Sequence, residues 1–286
     1  MLNREVTIVI PSYKSRALLI SKIKNFSDDY KIIVIENSED KILSKMIKKK
    51  FKNNRIILKK NIGFGRAVNL GAKYVKTKFF FVINPDTKIY RNTIKNLLTA
   101  AKIIKNFGGL SPEQLANKKI NNKKKFLETD KLYGAALFFK TKNFRKLKGF
   151  DENIFLYYEE NDFFDRCKEL NMKMYIIKNC FHYHTSIQSS SAIMENKKEK
   201  YYSYLLSGWH GQWSKFYYFK NKKSFIESLF ICLPSLFKNL VQLIINIFIN
   251  QNKAKFYYFK IEGLITSMLG FKSYKRSIYD WKIKLI

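Results

Sequence analysis

Short apolar runs alternate with longer mixed stretches from the start of the chain. VTIVI (Val6 to Ile10), KIIVIE (Lys31 to Glu36), RIILK (Arg55 to Lys59) and FFFVIN (Phe79 to Asn84) are rich in β-branched and aromatic residues, with few polar interruptions. Runs that are apolar at both parities predict strands buried on both faces, which is the condition of a parallel sheet covered by helical crossovers. The first part of the chain therefore reads as a doubly wound α/β unit, where ligands sit beyond the carboxyl ends of the strands. Pro11 is expected to end the pairing of the first strand, leaving Ser12 and Tyr13 at its tip.

From Gly108 to Lys131 the pattern gives way to a Lys- and Asn-rich stretch that predicts a surface excursion. Regular structure is expected again at LYGAALFFK. A short helix closed by Gly149, a helix over Asp162 to Leu170 and a strand at KMYIIK follow. The α/β domain is placed at residues 1–195, with an aromatic, basic helical region at 196–286. In that region Phe225 to Ile249 is long and apolar but contains Glu227, Pro234, Lys238 and Asn239. Its polar interruptions and basic, aromatic flanks favour an amphipathic helix lying on a membrane surface. A helical subdomain packed on the core and a true span are the alternatives.

Charge extends this picture. The 286 residues carry 55 Lys and Arg against 22 Asp and Glu, a formal charge of +33, so the partners to consider are polyanions: nucleic acid, acidic lipid or phosphorylated small molecules. A non-catalytic RNA- or polyanion-binding protein is one reading of that balance. It lacks RNP, KH or zinc-knuckle patterns, and Glu159, Glu160, Asp162 and Asp165 crowd together in YYEENDFFDR. Cys167, Cys180 and Cys232 are widely spaced and form no CxxC, which argues against a zinc ribbon or disulfide scaffold and fits a reducing compartment. The N-terminal residues enter an apolar run without the form of an export signal, so a cytoplasmic location is the expectation.

Candidate chemistry falls on the strand tips. Ser12 and Tyr13 follow the first strand, and Glu36, Asn37 and Ser38 follow the second, where polar groups could contact a base or ribose. NIGFGRAVNLGA departs from the GxGxxG spacing, yet a glycine turn opening a helix can bind a diphosphate through backbone N–H groups, and Arg66 could add a bidentate contact. Tight helix-to-sheet packing is the other explanation of those glycines. After the fourth strand, Asp86 is either a turn or cap residue, or the holder of a divalent cation that shares phosphate oxygens.

Taken together, VTIVIPSY, ENSED, NIGFGRAVNLGA, INPDT, YGAALFF, GFDENIFLYYEENDFFDR and a late HYH resemble, in order and approximate spacing, the family 2 inverting glycosyltransferases of GT-A fold. Within the family the chain looks most like the bacterial rhamnosyltransferase-like branch. The resemblance implies a transferase using a UDP- or dTDP-sugar, Mg²⁺ or Mn²⁺, and a lipid-linked glycan acceptor at an anionic membrane surface, with no nucleic acid partner. It gives Asp86 the metal role, with Asn84 facing the nucleotide or sugar because NPD stands where DxD is usual. It assigns donor contacts to Pro11, Ser12, Tyr13 and Glu36, with Asn37, Gly63, Arg66 and Asn69 as further candidates. Glu160 becomes the catalytic base and Glu159 its neighbour. Of the two histidines in HYH, His184 is favoured for the metal or diphosphate. Inverting transfer needs one carboxylate to take the acceptor proton and one cation for the leaving diphosphate. Asp162 is expected to cap the following helix or to pair with Arg166 at i,i+4.

Overall fold

A computed structural model describes residues 4–90, 92–115, 125–184 and 197–276. The expected domain boundary at 195 and the centre of the polar excursion, 116–124, lie outside the described residues. The chain divides into two compact units, one of residues 1–151 and 160–193, the other of residues 152–159 and 194–286.

The first unit has a mixed α/β, Rossmann-like fold. Its strands are β1 (Val6–Ser12), β2 (Lys31–Glu36), β3 (Arg55–Leu58), β4 (Phe79–Ile83), β5 (Thr87–Ile89), β6 (Phe107–Gln114), β7 (Phe126–Thr129), β8 (Ala136–Lys140) and β9 (Lys173–His184). Its helices are α1 (Arg16–Phe26), α2 (Lys41–Lys50), α3 (Phe64–Lys73), α4 (Thr93–Ile103), α5 (Thr141–Lys146) and α6 (Glu159–Glu169). The sheet order is β3-β2-β1-β4-β8-β6-β9-β5, with β7 also paired to β9. The β3-β2-β1-β4 half is parallel, while β8 joins β4 antiparallel.

The both-parity apolar runs divide between two cores. Ile8, Ile10, Val34, Phe79, Phe81 and Phe138 pack on one face of the sheet. Their alternates Val9, Ile35, Phe80, Val82 and Phe139 pack on the other. A period of two side chains per face leaves no polar side for water, so both faces must be covered.

Two expectations need correction. Pro11 does not end β1 pairing: the register continues through Pro11↔Ile35 and Ser12↔Glu36. Pairing with β4 stops at Val9↔Val82, so the missing proline N–H falls where that strand no longer needs a donor. Nor is Gly108 to Gln114 an excursion; it belongs to buried strand β6. A Cβ on Gly108 would lie 2.6 Å from Cys167 Sγ, and one on Gly109 would lie 2.9 Å from Phe164 Cε1. These glycines let α6 approach the strand, and they resemble turn residues only in sequence.

In the second unit, α7 (Lys197–Lys222), α8 (Phe225–Ile249) and α9 (Gln251–Met268) follow one another, α8 opened by a Ser224/Glu227 capping box. Trp209, Trp213, Leu205 and Phe259 form one cluster, and Phe216, Cys232 and Leu264 another. Residues 152–159 pack within this unit: Phe155 lies on His210 (4.5 Å), Ser214 Oγ donates to the Leu156 carbonyl (2.8 Å) and Tyr158 lies on Tyr218 (5.3 Å). His210 is buried here in the aromatic region. All three cysteines are free and buried.

Candidate active site

The loops after β1 and β2 are tied together. Asn37 N–H donates to the Ser12 carbonyl (2.7 Å), Lys14 N–H to Ser38 Oγ (3.3 Å), and the hydroxyls of Ser12 and Ser15 lie 2.9 Å apart. Glu36 is buried beneath its own loop. Its carboxylate accepts from Asp40 N–H (2.8 Å), from Ser38 N–H (3.1 Å) and from the Ser38 hydroxyl, so it folds the β2–α2 turn. Asp40 then caps α2 through Leu43 N–H (2.9 Å) and takes a bidentate contact from Arg16 (2.7 and 2.8 Å). Partial burial pushes the Asp40 carboxyl up, but Arg16 and the helix-cap amides outweigh it and hold it below the ordinary range. Asn37 donates to the Gly63 carbonyl (3.3 Å) and keeps a buried Oδ1 with no hydrogen-bond partner among the described residues. A buried acceptor at a strand tip is the kind of group a ligand donor completes.

Gly63 stands at φ 89° immediately before α3, with its N–H on Asn61 Oδ1 (3.2 Å). That positive-φ turn favours glycine and opens α3, whose first turn carries Arg66 and the N–H groups that a helix start leaves without an intrahelical partner. The rest of the motif builds structure. A Cβ on Gly71 would lie 2.5 Å from Val9 Cγ1, so tight helix-to-sheet packing explains that glycine. Asn69 donates to the Phe150 carbonyl and accepts from its N–H, both at 2.9 Å, which directs the amide expected to face the donor toward the 149–150 turn.

Beyond β4, the Asn84 carbonyl accepts from Thr87 N–H (3.1 Å) and closes the turn that carries Asp86. Residues Thr87 and His184 are register partners across β5 and β9, and His184 Nε2 lies 3.4 Å from Asp86 Oδ1. His182 occupies a different environment, buried, with Nδ1 3.1 Å from the Pro112 carbonyl, and burial lowers it to about 4. Of the two histidines, His184 is the one beside Asp86. Lys22, which the sequence reading missed, sits on the buried Leu19–Lys22–Ile23 face of α1 and donates to the Thr87 carbonyl. Burial, partly offset by Asp86, lowers its ammonium to about 8.

The expected base is the second residue of α6, which starts three residues earlier than predicted and so carries both glutamates in its first turn. Tyr157 and Tyr158 precede it at φ 67° and 70°, a backbone strain that no glycine marks in the sequence. Glu160 approaches Gly134 so closely that a Cβ there would lie 2.3 Å from Oε1. Burial raises the Glu160 carboxyl above its ordinary range, and hydrogen bonds from its own N–H and from Gly134 N–H temper the rise. The residue after Gly134, Ala135, accepts from Asn84 N–H (3.1 Å), so the turn before β8 links Glu160 to the Asp86 turn. Glu159 is buried and groups with the helical unit. Asp162 does not cap the helix but makes the expected pair with Arg166 (2.7 Å).

The model for "Glycosyl transferase family 2" matches residues 7–166. The chain belongs to this family. No protein of curated function matches it. Among solved structures, the transferase is similar to the mannosyltransferase PcManGT from Pyrobaculum calidifontis in complex with GDP-Man and Mn²⁺ (TM-score 0.58, 10% identity, 94% of this chain and 90% of that one). It is similar to S. aureus TarS 1-349 (TM-score 0.52, 14% identity, 95% and 93% covered). It also resembles GalNAc-T7 with UDP, GalNAc and Mn²⁺ (TM-score 0.51, 12% identity), covering 63% of this chain but only 43% of that one. At these identities the likeness establishes the GT-A fold. Nucleotides or nucleotide sugars are bound in all three of these neighbours or their complexes, with Mn²⁺ in the mannosyltransferase and GalNAc-T7 structures and UDP-GlcNAc in a TarS complex.

The donor set here fits such a cation in part. Asp86 and His184 converge at a separation two ligands of one ion could adopt, while no group of three or more His, Cys, Asp or Glu forms among the described residues. A hard cation held by one or two protein groups and completed by substrate phosphates and water matches that pair.

Proposed function

We propose that this transferase is an inverting enzyme that moves a hexosyl group from a UDP- or dTDP-sugar to a hydroxyl of a lipid-linked glycan, at the cytoplasmic face of a membrane, in cell-surface polysaccharide synthesis. Rhamnose, suggested by the motif resemblance, is the first donor to test. The observation that carries the reading is Glu160: a half-buried carboxylate whose pKa is raised by loss of solvation, set against Gly134 and joined through Ala135 and Asn84 to the Asp86 turn.

In the reaction, Glu160 accepts the proton of the acceptor hydroxyl as that oxygen bonds to the anomeric carbon. The bond from that carbon to the diphosphate oxygen breaks, and the nucleoside diphosphate leaves with the electron pair. Asp86 and His184 would hold Mg²⁺ or Mn²⁺, which supplies charge neutralisation for the diphosphate. The Asn37 amide, the Ser12–Tyr13 tip and the Gly63–Arg66 turn are proposed to bind the donor, with Pro11 and Glu36 shaping the loops beneath it. Glu159 supports the base from the first turn of α6.

Glu160→Gln should retain donor-induced thermal stabilisation, with and without Mn²⁺, while transfer and slow donor hydrolysis fall by about 10²-fold or more, the lower range for a lost general base. Unchanged turnover would remove Glu160 as the base.

A further inference from the structure

Helix α8 has its polarity inside out. At about 100° per residue its buried residues Ser228, Cys232, Asn239 and Asn246 fall within about 40° of one another, a stripe of small and polar side chains. Phe230, Phe237, Ile244 and Phe248 point within about 40° of the opposite direction, and Phe237 and Phe248 are 72% and 85% exposed. The inward stripe is committed to the helical unit. Cys232 packs with Phe216 and Leu264, Ser228 donates to the Ser224 carbonyl (2.8 Å), and Ser235 donates to Gln212 Oε1 (3.2 Å). In an ordinary surface helix the apolar stripe turns inward and the polar face meets water. Here the outward face is a contiguous apolar surface of the kind that marks an interaction site.

Charge identifies the occupant. Lys215 of α7, Lys238 of α8 and Lys260 of α9 come from three helices and form no ion pair among the described residues, although Lys215 Nζ reaches Ser235 Oγ (3.3 Å). Their charges act on one another: burial lowers the Lys260 ammonium, and Lys238 and Lys215 lower it further. Cations in the same three-helix unit as an exposed apolar face suit the headgroup layer of a membrane, where lysine stems lie along the acyl boundary and their ammonium groups meet phosphates. Helix α8 is also the one described helix long and apolar enough to cross a bilayer. A crossing would bring Lys238, near its middle, to the hydrocarbon centre, and would draw in α9 with Lys253, Lys255 and Glu262.

We propose that α8 lies in the plane of an anionic phospholipid bilayer, with its Phe230–Phe237–Ile244–Phe248 face immersed at the acyl boundary and Lys215, Lys238 and Lys260 engaging lipid phosphates. This deepens the membrane placement in the function proposed above and rests on that reading for location only, since the surface is independent of the transfer chemistry.

Flotation with phosphatidylglycerol/phosphatidylcholine vesicles tests it, with donor hydrolysis measured on the same preparations. The full chain should float with the anionic vesicles, release in high salt and in alkaline carbonate, and bind pure phosphatidylcholine at least tenfold more weakly. Phe237→Asp/Phe248→Asp should lose at least tenfold in partitioning, and Lys215→Gln/Lys238→Gln/Lys260→Gln should lose the preference for anionic lipid, both with helical content and hydrolysis retained. Equal partitioning of the wild type and the phenylalanine variant, resistance to carbonate as for a spanning helix, or a stable lipid-free oligomer dispersed by the same substitutions would each overturn the proposal. A wild type that floats but never hydrolyses any donor would instead defeat the transfer reading and leave the surface standing.

Discussion

Replacing Gly134 with alanine should damage catalysis while leaving the fold intact. The added Cβ would sit 2.3 Å from Glu160 Oε1 and 3.4 Å from Phe64 Cε1, so the carboxylate has to retreat by about 1.1 Å to reach ordinary contact. Gly134 is not among the glycines at positive φ, so alanine fits the backbone. The group that moves is the end of a flexible side chain, which relaxes more easily than a packed backbone. A misplacement of about 1 Å in a reacting group can cost on the order of 10²-fold in rate, equivalent to about 2.7 kcal/mol of barrier. Release of nucleoside diphosphate from the donor, under single-turnover conditions with water or glycan as acceptor, reads that loss. Donor affinity by calorimetry and the melting temperature should stay at wild-type values. The pH profile adds a signed check. The Gly134 N–H holds the Glu160 pKa down against the larger effect of burial, so weakening that bond raises the pKa further. A general base works above its pKa, so the acid limb of kcat/KM should move to higher pH. Wild-type kcat together with an unmoved acid limb would refute the placement of Glu160 against Gly134 as the catalytic contact.

Two further substitutions probe the helical unit. A Cβ on Gly263 would meet the Trp209 carbonyl oxygen at 2.2 Å, a backbone atom that cannot swing aside, so Gly263→Ala should cost about 1–3 kcal/mol in chemical denaturation, with donor binding unchanged. His210 Nε2 donates to the Lys275 carbonyl (2.9 Å), and burial, then the charge of Arg276, lowers its pKa from 6.5 to about 3. Its contribution to stability is present above pH 6.5 and is lost as pH falls toward 3, because only the unfolded chain takes up the proton in that window. The slope is at most about 1.4 kcal/mol per pH unit, and His210→Gln should flatten it between pH 6.5 and 5, as measured by urea unfolding at several pH values.

The parallel half of the sheet was readable because both-face burial leaves a local mark: Phe79, Phe80 and Phe81 must alternate between two cores, and no amphipathic helix needs such a run. Strand β6 was not readable. Gly108 and Gly109 read as breakers until Cys167 and Phe164, more than fifty residues later, occupy the space their missing side chains leave. The start of α6 was misjudged for a related reason, since nothing in YYEE announces two tyrosines at positive φ. Of the proposed site residues, Asp86, His184 and Glu160 were marked out in the sequence because their chemistry is scarce and their order along the chain is informative. Gly134 and Lys22 were not, because each acts through a neighbour that only the folded chain supplies.

The acidic cluster can now be divided by task. Glu159, Glu160 and Asp162 all fall in the first turn of α6, where the helix dipole favours negative charge even in a chain of net charge +33. Asp162 fixes Arg166, whose guanidinium also donates to the carbonyls of Leu147 and Gly149 (2.8 Å to the latter), while Asn69 holds the next residue, Phe150, at both backbone groups. With Gly108 and Gly109 beneath its other side, α6 is clamped at the 147–150 turn and on β6. Among these acids only Glu160 lies against a glycine, Gly134, whose neighbour Ala135 bonds to the Asp86 turn. The clamp and the proposed base are therefore expected to be separable: damage to Asp162, Arg166 or Asn69 should loosen the helix and appear as lost stability, whereas a methyl group at Gly134 should leave the helix in place and displace Glu160.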